Sequence, residues 1–309
     1  MPGHISNERQ PIVSLIYLLL LVLAGIIISS LIAVISGILI FLGPQGLMQL
    51  ISGLDLENIN FLKYVQIISA VGTFIIPALI FGRLENTDPL TYFGFRKQIK
   101  PLLFILAVAV MIASTPFLEG VILLNKEMHL PEAFQTVERW MKQKEDDLAK
   151  LTMQLLSMKT AAEFAINLFM IAIIPAIGEE LFFRGCLQKV FIRIFKNYHT
   201  AIWITAIVFS AIHLQFYGFF PRMLLGALFG YLYVWTGNIG IPILAHFINN
   251  ASAVISAYFY QQKGLSLDKI NEETYNGNLL IYMASFVLTA VLLFLVYKIA
   301  QPKIKESPL

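Results

Sequence analysis

Long apolar runs recur along the whole 309-residue chain, and they restrict its fold more than any other feature. They fall at about 12–42, 65–81, 101–124, 161–177, 201–213, 223–235, 239–260 and 279–300. Since a helix needs about 20 apolar residues to cross a bilayer, these runs predict about eight transmembrane helices, the fifth and sixth of them short. Charged residues make up only 13% of the chain, against about 25% in soluble proteins. We therefore expect an all-α, polytopic membrane helix bundle.

The first apolar run, the net charge and the cysteine count exclude several other classes of protein. The run at 12–42 is much longer than the apolar region of a signal peptide, so we interpret it as a retained span. A net charge of +3, scattered along the chain, gives no support for a nucleic-acid partner. The single cysteine, Cys186, excludes an internal disulfide framework.

Basic residues near the span ends predict the orientation in the membrane. They cluster in the second-to-third connection, the fourth-to-fifth connection and the tail: Arg83, Arg96, Lys97, Lys100, Lys189, Arg193, Lys196, Lys298, Lys303 and Lys305. Positive loops favour the cytoplasm, so this side and both termini are predicted to be cytoplasmic, in a bacterial inner membrane. The opposite loop at 43–60 has no basic residue, but the loop at 126–159 has six and disagrees with the rule.

Three regions are predicted along the chain. Residues 1–160 hold the N-terminal spans and an amphipathic connecting helix, 161–260 a helical core, and 261–309 the last span and a polar tail. The connecting helix is indicated by an apolar stripe at three- and four-residue spacing: Phe134, Val137, Met141, Leu148, Leu151, Leu155 and Met158. Thr160 and Glu163 match a capping box, which predicts where the fourth span begins.

Polar side chains within the apolar runs are the candidate site. The set comprises Glu179, Glu180 and Arg184 at the end of the fourth run, His213 at the end of the fifth, and His246 and Asn250 in the seventh. Ionisable groups inside a membrane are functional candidates because burying them is costly. Glu180 and Arg184 have the i,i+4 order that favours an ion pair, whereas Glu179 points about 100° away on the helix.

Relative depth suggests which side chains can meet. If the chain turns near Asn197, Glu179 lies 18 residues before the turn and His213 lies 16 residues after it. In an antiparallel pair of helices this is a mismatch of only about 3 Å, so Glu179 and His213 are expected at one level. His246 and Asn250, also i,i+4, present their side chains on one helix face.

This combination favours hydrolysis. Glu179 could act as a general base on a water held with His213. His246 and Asn250 could then donate hydrogen bonds to the oxyanion formed on an attacked carbonyl. No nucleophile-elbow pattern supports serine chemistry. Glu179, His213 and His246 could alternatively hold zinc, but no H-E-x-x-H spacing is present, and we favour the metal-free interpretation.

These residues resemble the motifs of a known family. "EELFFR" (Glu179–Arg184) matches E-E-x-x-x-R, "FSAIH" (Phe209–His213) matches F-x-x-x-H, and "HFINN" (His246–Asn250) matches H-x-x-x-N. They are the ordered motifs of the CAAX protease and bacteriocin-processing family of intramembrane proteases, also called the CAAX prenyl protease 2 or abortive-infection family. The resemblance extends over about residues 161–260.

The resemblance implies an α-helical membrane endopeptidase with an interior site. Glu179, assisted by His213, would activate water, His246 and Asn250 would stabilise the oxyanion, and Glu180, Arg184 and Phe209 would support them. The family has been described both as metal-free and as zinc-dependent. The implied substrate is a hydrophobic or lipidated peptide or a membrane protein.

Two other classes of function stay open. Intramembrane glutamate and histidine also build transporters, although no repeated halves with broken helices are visible here. A family member could also act as a non-catalytic scaffold or bacteriocin-immunity protein. A transporter would act without cleaving peptides, so a cleavage assay distinguishes it from a protease. A non-catalytic scaffold would keep its phenotype in a Glu179→Ala variant.

Overall fold

A computed structural model describes residues 9–43, 46, 48, 58–85, 88–265 and 278–301, and every regular element in these ranges is helical. In chain order the helices are α1 Pro11–Leu42, α2 Ile59–Leu84, α3 Pro89–Tyr92, α4 Leu102–Lys126, α5 Gln135–Leu156, α6 Ala161–Phe195, α7 Tyr198–Ala211, α8 Phe219–Thr236, α9 Gly240–Gln262 and α10 Leu279–Ala300. The predicted all-α membrane bundle is confirmed.

The predicted number of eight spans is not confirmed. Within the described residues, six helices are long and apolar enough to cross a membrane, namely α1, α2, α4, α6, α9 and α10. The expected fifth and sixth spans are the shorter helices α7, with 14 residues, and α8, with 18. The chain is therefore an integral, multi-pass membrane protein.

Side-chain caps define several helix starts. Asn58, Thr160, Asn197 and Asn278 each accept a backbone N–H of the following first turn. The capping box predicted at Thr160 and Glu163 is present. The turn expected near Asn197 is also present, because α6 ends at Phe195 and Lys196 adopts a left-handed conformation.

The amphipathic helix predicted in the 126–159 loop is α5, preceded by a short 3₁₀ turn at Glu132–Phe134. Its apolar stripe is only partly covered by the bundle. Phe134, Val137 and Leu151 are 55%, 46% and 39% exposed, whereas Met141, Leu148 and Leu155 are half-buried. Met158, just beyond the helix, is buried against α9 instead. An exposed apolar stripe on a charged helix is what a helix lying on the bilayer surface requires.

Polar contacts join the helix ends that carry most of the cations. Ser14 at the start of α1 donates to Glu85, just after α2, at 2.8 Å, and Arg193 near the end of α6 bonds to Glu85 at 2.9 Å. Lys100 before α4 donates to the Ile299 carbonyl of α10 at 3.4 Å. We call this end of the bundle the basic end. Lys303 and Lys305, like most of the 43–60 loop, lie outside the described residues, and the side of the membrane on which the basic end lies stays a prediction. The boundaries at residues 160 and 260 also stay predictions.

Glycines allow α8 to pack closely against α7 and α6. A Cβ at Gly226 would stand 3.1 Å from the Phe209 ring and 3.2 Å from the Ala206 Cα. At Gly230 it would meet Gln188 Oε1 at 2.7 Å and Ile202 at 2.9 Å. The Gly226-x-x-x-Gly230 spacing is thus a packing feature that brings the α8 backbone against the site helices.

The substitution Gly230→Ala is expected to lower the free energy of unfolding by roughly 1–3 kcal/mol, because the added methyl overpacks this contact. Unfolding of the purified protein in mixed detergent micelles measures the change. Gly218→Ala is the matched control, since its Cβ would meet nothing nearer than 3.4 Å. Equal midpoints for the two variants would contradict the packing role of Gly230.

Candidate active site

The carboxylates and the arginine of the first motif lie in the interior of α6, not at its end. The apolar run stops near residue 177, but the helix continues to Phe195. The expectation that these residues close the span was wrong, because neighbouring helices supply polar partners that let them stay inside the bundle. Two segments of α6, Leu168–Ile173 and Leu181–Gln188, are π-helical, a distortion that is frequent at functional sites.

Glu180 and Arg184 form the predicted ion pair. Arg184 Nη1 donates to Glu180 Oε1 at 2.8 Å, and both side chains are completely buried. Arg184 Nη2 donates to the Gly226 carbonyl at 2.9 Å, and the guanidinium lies 4.5 Å from the ring centroid of Phe209. This planar, multidentate environment suits arginine and not lysine.

His246 on α9 is fixed by Glu180 as well. Its Nδ1–H donates to Glu180 Oε1 at 2.8 Å, and its ring stacks on Phe229 with centroids 5.1 Å apart and planes 17° apart. Because Nδ1 is committed to Glu180, the free ring nitrogen is Nε2. Glu180 therefore does more than neutralise Arg184, since it also orients the imidazole.

Glu179 faces that free nitrogen. Its Oε2 lies 3.8 Å from His246 Nε2, and its side chain is 14% exposed. The separation is too long for a direct hydrogen bond, but one water placed to the side can hydrogen-bond to both groups. As predicted, Glu179 takes no part in the ion pair between Glu180 and Arg184.

His213 does not pair directly with Glu179. Its Nδ1–H donates to the Phe209 carbonyl at 2.7 Å, and no hydrogen bond or ion pair joins it to Glu179 in the described part of the chain. The Phe209 ring lies near both imidazoles, with centroid distances of 5.1 Å to His213 and 6.1 Å to His246. Phe209 thus spaces the two histidines, while the Nε2 of His213 stays available.

Asn250 supports the backbone of α6. Its Nδ2 donates to the Ile171 carbonyl at 3.0 Å, and its Oδ1 accepts from Asn249 at 3.1 Å. Pro175, four residues after Ile171, has no N–H to donate to that carbonyl. An amide nitrogen carries two hydrogens, so one N–H of Asn250 is left for another acceptor.

The zinc set considered from the sequence is not assembled. In the ranges that the structure describes, no three His, Cys, Asp or Glu side chains are grouped so that they could hold a metal ion. Both histidines use Nδ1 for a hydrogen bond and keep Nε2 free, an arrangement that metal-binding and metal-free histidines share. The metal-free interpretation stays a prediction, and the chemistry below is derived from the side chains alone.

Arg222 is a site residue that the sequence reasoning missed. Its Nη2 donates to Gln215, while its Nη1 is buried without a hydrogen-bond partner among the described residues. The guanidinium interacts electrostatically with Glu179 and with His213. In the sequence, Arg222 directly precedes the sixth apolar run, and this position is equally typical of an arginine at the membrane interface.

The loop that carries His213 is held by two neighbouring helices. Asn125 at the end of α4 donates to the Phe216 carbonyl at 3.2 Å and accepts from the Phe220 N–H at 3.1 Å. Glu145 on α5 accepts from the Tyr217 N–H at 3.0 Å. The amphipathic helix therefore contacts the edge of the candidate site.

Comparison with known proteins gives a family match over the part of the chain that holds these residues. Residues 161–252 match the family described as type II CAAX prenyl endopeptidase Rce1-like. An uncharacterized protein, YpbD of Bacillus subtilis (strain 168), is 30% identical over 89 residues. That alignment covers 28% of this chain and 42% of the relative, so it spans less than half of the relative's length. No solved structure gives a significant match. The three motifs lie on α6, on α7 with the following turn, and on α9, all within the segment at 161–252 that is similar to the Rce1-like type II CAAX prenyl endopeptidases.

Proposed function

We propose that the chain is an intramembrane endopeptidase that hydrolyses a peptide bond with a water activated by Glu179. The arrangement around His246 carries the proposal. A completely buried Glu180 holds one ring nitrogen at 2.8 Å, and the other ring nitrogen faces Glu179 across 3.8 Å. The family that the 161–252 segment matches supports the same reaction class.

The proposed reaction uses the side chains in the following order. A water between Glu179 and the histidines gives a proton to the Glu179 carboxylate while its oxygen attacks the carbonyl carbon of the scissile bond. The resulting oxyanion accepts hydrogen bonds from the Nε2–H of protonated His246 and from the remaining N–H of Asn250. The C–N bond then breaks, and Glu179 transfers its proton to the leaving amine.

Nearby cations compensate the two carboxylates. Glu180 is paired with Arg184 at 2.8 Å, and Glu179 interacts electrostatically with Arg222. Compensation of this kind avoids the large cost of an uncompensated buried charge. We assign a supporting role to Glu180, Arg184 and Phe209, because they orient or space the imidazoles.

We propose a hydrophobic or lipidated peptide, or a membrane-protein terminus, as the substrate. The site lies within a bundle of apolar helices, so such a substrate reaches it from the bilayer. A bacterial cytoplasmic membrane is the proposed location, which the Bacillus relative supports. Both described chain ends lie at the basic end, which fits cytoplasmic termini. No nucleic-acid partner is proposed.

The direct test is cleavage of hydrophobic and lipidated peptides by the chain purified in detergent, with products identified by mass spectrometry. Cleavage that continues in the presence of a chelator is expected. Loss of cleavage with chelator and recovery with zinc would replace the metal-free mechanism with a zinc-dependent one. Absence of any cleavage across the library, with a folded protein, would favour the scaffold alternative.

Asn250 provides a prediction that separates catalysis from structure. Asn250→Ala is expected to reduce the cleavage rate about 100-fold and to destabilise the fold by about 1–3 kcal/mol, since the Ile171 carbonyl loses its donor. Adding Pro175→Ala supplies a backbone N–H near that carbonyl and is expected to recover stability but not cleavage. Rate measurements and unfolding midpoints on both variants provide the check. Recovery of cleavage in the double variant would show that Asn250 acts only on the backbone.

A further inference from the structure

A cavity lies at the basic end, apart from the candidate active site. Its volume is about 570 Å³, and its lining includes Tyr92, Arg96, Lys97, Lys189 and Tyr233. Lys189 follows Glu179 by ten residues on the same helix, so the cavity lies about 15 Å further along α6. The proposed hydrolysis uses none of these residues.

Hydrogen bonds between two chain segments hold the walls of this basic cavity in place. The connection after α3 is fixed to the turn between α8 and α9, because the Ile239 N–H donates to the Phe93 carbonyl at 3.3 Å and Asn238 Nδ2 donates to the Lys97 carbonyl at 3.0 Å. Gly94 and Gly237 both have positive φ, and a Cβ at Gly94 would lie 2.1 Å from the Gly237 carbonyl oxygen. The two segments therefore approach to a distance that only glycine permits.

The lining is strongly positive. Lys189 Nζ donates to the Tyr92 carbonyl and lies 4.0 Å from the Tyr92 ring centroid and 5.6 Å from that of Tyr233. Arg96 is 3.4 Å from Asp88, but both side chains are largely exposed, so this pair is weak. No carboxylate lines the cavity in the described part of the chain. Three cations thus share one concave space without an acidic residue in its wall.

Position and chemistry together indicate the ligand. The cavity lies near the end of the membrane-crossing helix α6, against the connection after α3 and the end of α8, and tyrosines and the aliphatic Ile192 and Val234 complete its lining. Lipid head groups lie at the ends of membrane-crossing helices. Basic pockets between helix ends bind the head groups of anionic lipids. The volume is in the range of sites for small molecules.

We propose that this basic cavity binds a phosphate-bearing anion, the head group of an anionic phospholipid at the basic end of the bundle. Arg96 and Lys97 supply exposed cationic donors to the phosphate, and Lys189 with its two tyrosines forms the back wall. The proposal is independent of the proposed peptidase activity, because its readout is binding.

The test uses the full chain purified in a neutral detergent and titrated with short-chain phosphatidylglycerol, short-chain phosphatidylcholine, or inorganic phosphate. Binding is followed by native mass spectrometry and by the shift of the unfolding midpoint. Phosphatidylglycerol is expected to bind and phosphatidylcholine to bind much more weakly. The double variant Arg96→Gln, Lys97→Gln is expected to lose about 10- to 30-fold in affinity for phosphatidylglycerol. Exchanging the cations, as Arg96→Lys with Lys97→Arg, is expected to retain binding.

The matched control is Lys142→Gln, Lys144→Gln, which removes two exposed charges from α5 at the opposite end. It is expected to leave affinity unchanged. Equal loss in both double variants, or equal binding of the two lipids, would overturn the proposal. Saturable binding of inorganic phosphate that the Arg96→Gln, Lys97→Gln variant loses would keep the site but assign it to a free phosphate ion.

Discussion

Glu179→Gln is expected to lower the rate of peptide cleavage by about 10²- to 10⁴-fold, the contribution of a general base. The amide has nearly the same shape as the carboxylate but cannot take the proton from the attacking water. The fold is expected to tolerate the change, because Glu179 makes no short bond to Arg184 and lies 3.8 Å from His246. Single-turnover cleavage of a peptide identified with the wild-type protein measures the effect.

The control for this prediction is Glu132→Gln, which removes an exposed carboxylate just before α5. Its cleavage rate is expected to equal that of the wild type. Unfolding midpoints of the two variants are expected to agree, which separates lost chemistry from lost structure. A Glu179→Gln protein that cleaves at the control rate would remove Glu179 from the mechanism.

Arg184→Met is expected to destabilise the protein by roughly 3–5 kcal/mol, the cost of leaving one partner of a buried ion pair uncompensated. Glu180 is completely buried, and Arg184 supplies one of its two hydrogen bonds at 2.8 Å. The substitution also removes the bond to the Gly226 carbonyl and the contact with the Phe209 ring. Denaturation in mixed detergent micelles gives the change in unfolding midpoint.

A double variant tests the origin of that loss. Glu180→Gln combined with Arg184→Met removes both charges and is expected to be more stable than Arg184→Met alone. Arg139→Met on the exposed face of α5 is the control for the loss of an arginine. If Arg184→Met unfolds at the midpoint of this control, the ion pair contributes little to stability.

Local rules predicted the elements around the site well. The capping box at Thr160 and Glu163, the turn at Asn197 and the i,i+4 pair of Glu180 with Arg184 depend on residues close in sequence, and all are present. The predicted end of the fourth span was wrong, because the end of an apolar run shows where charged residues begin and not where the helix ends. Paired charges inside a bundle do not end a helix.

The sequence by itself determined the membrane class, the helical bundle and the motifs, because hydropathy and helical spacing are local properties of the chain. Only the tertiary structure decided how the polar groups pair between helices. The positions of Glu179 and His213 along their helices predicted that these two side chains meet. In the structure, His246 is the histidine that lies near both glutamates, and His213 Nδ1 bonds to the Phe209 carbonyl. The same is true of Asn250, whose bond to the Ile171 carbonyl joins residues 79 positions apart. Such contacts depend on the rotation and crossing of whole helices, which the spacing within one helix does not specify.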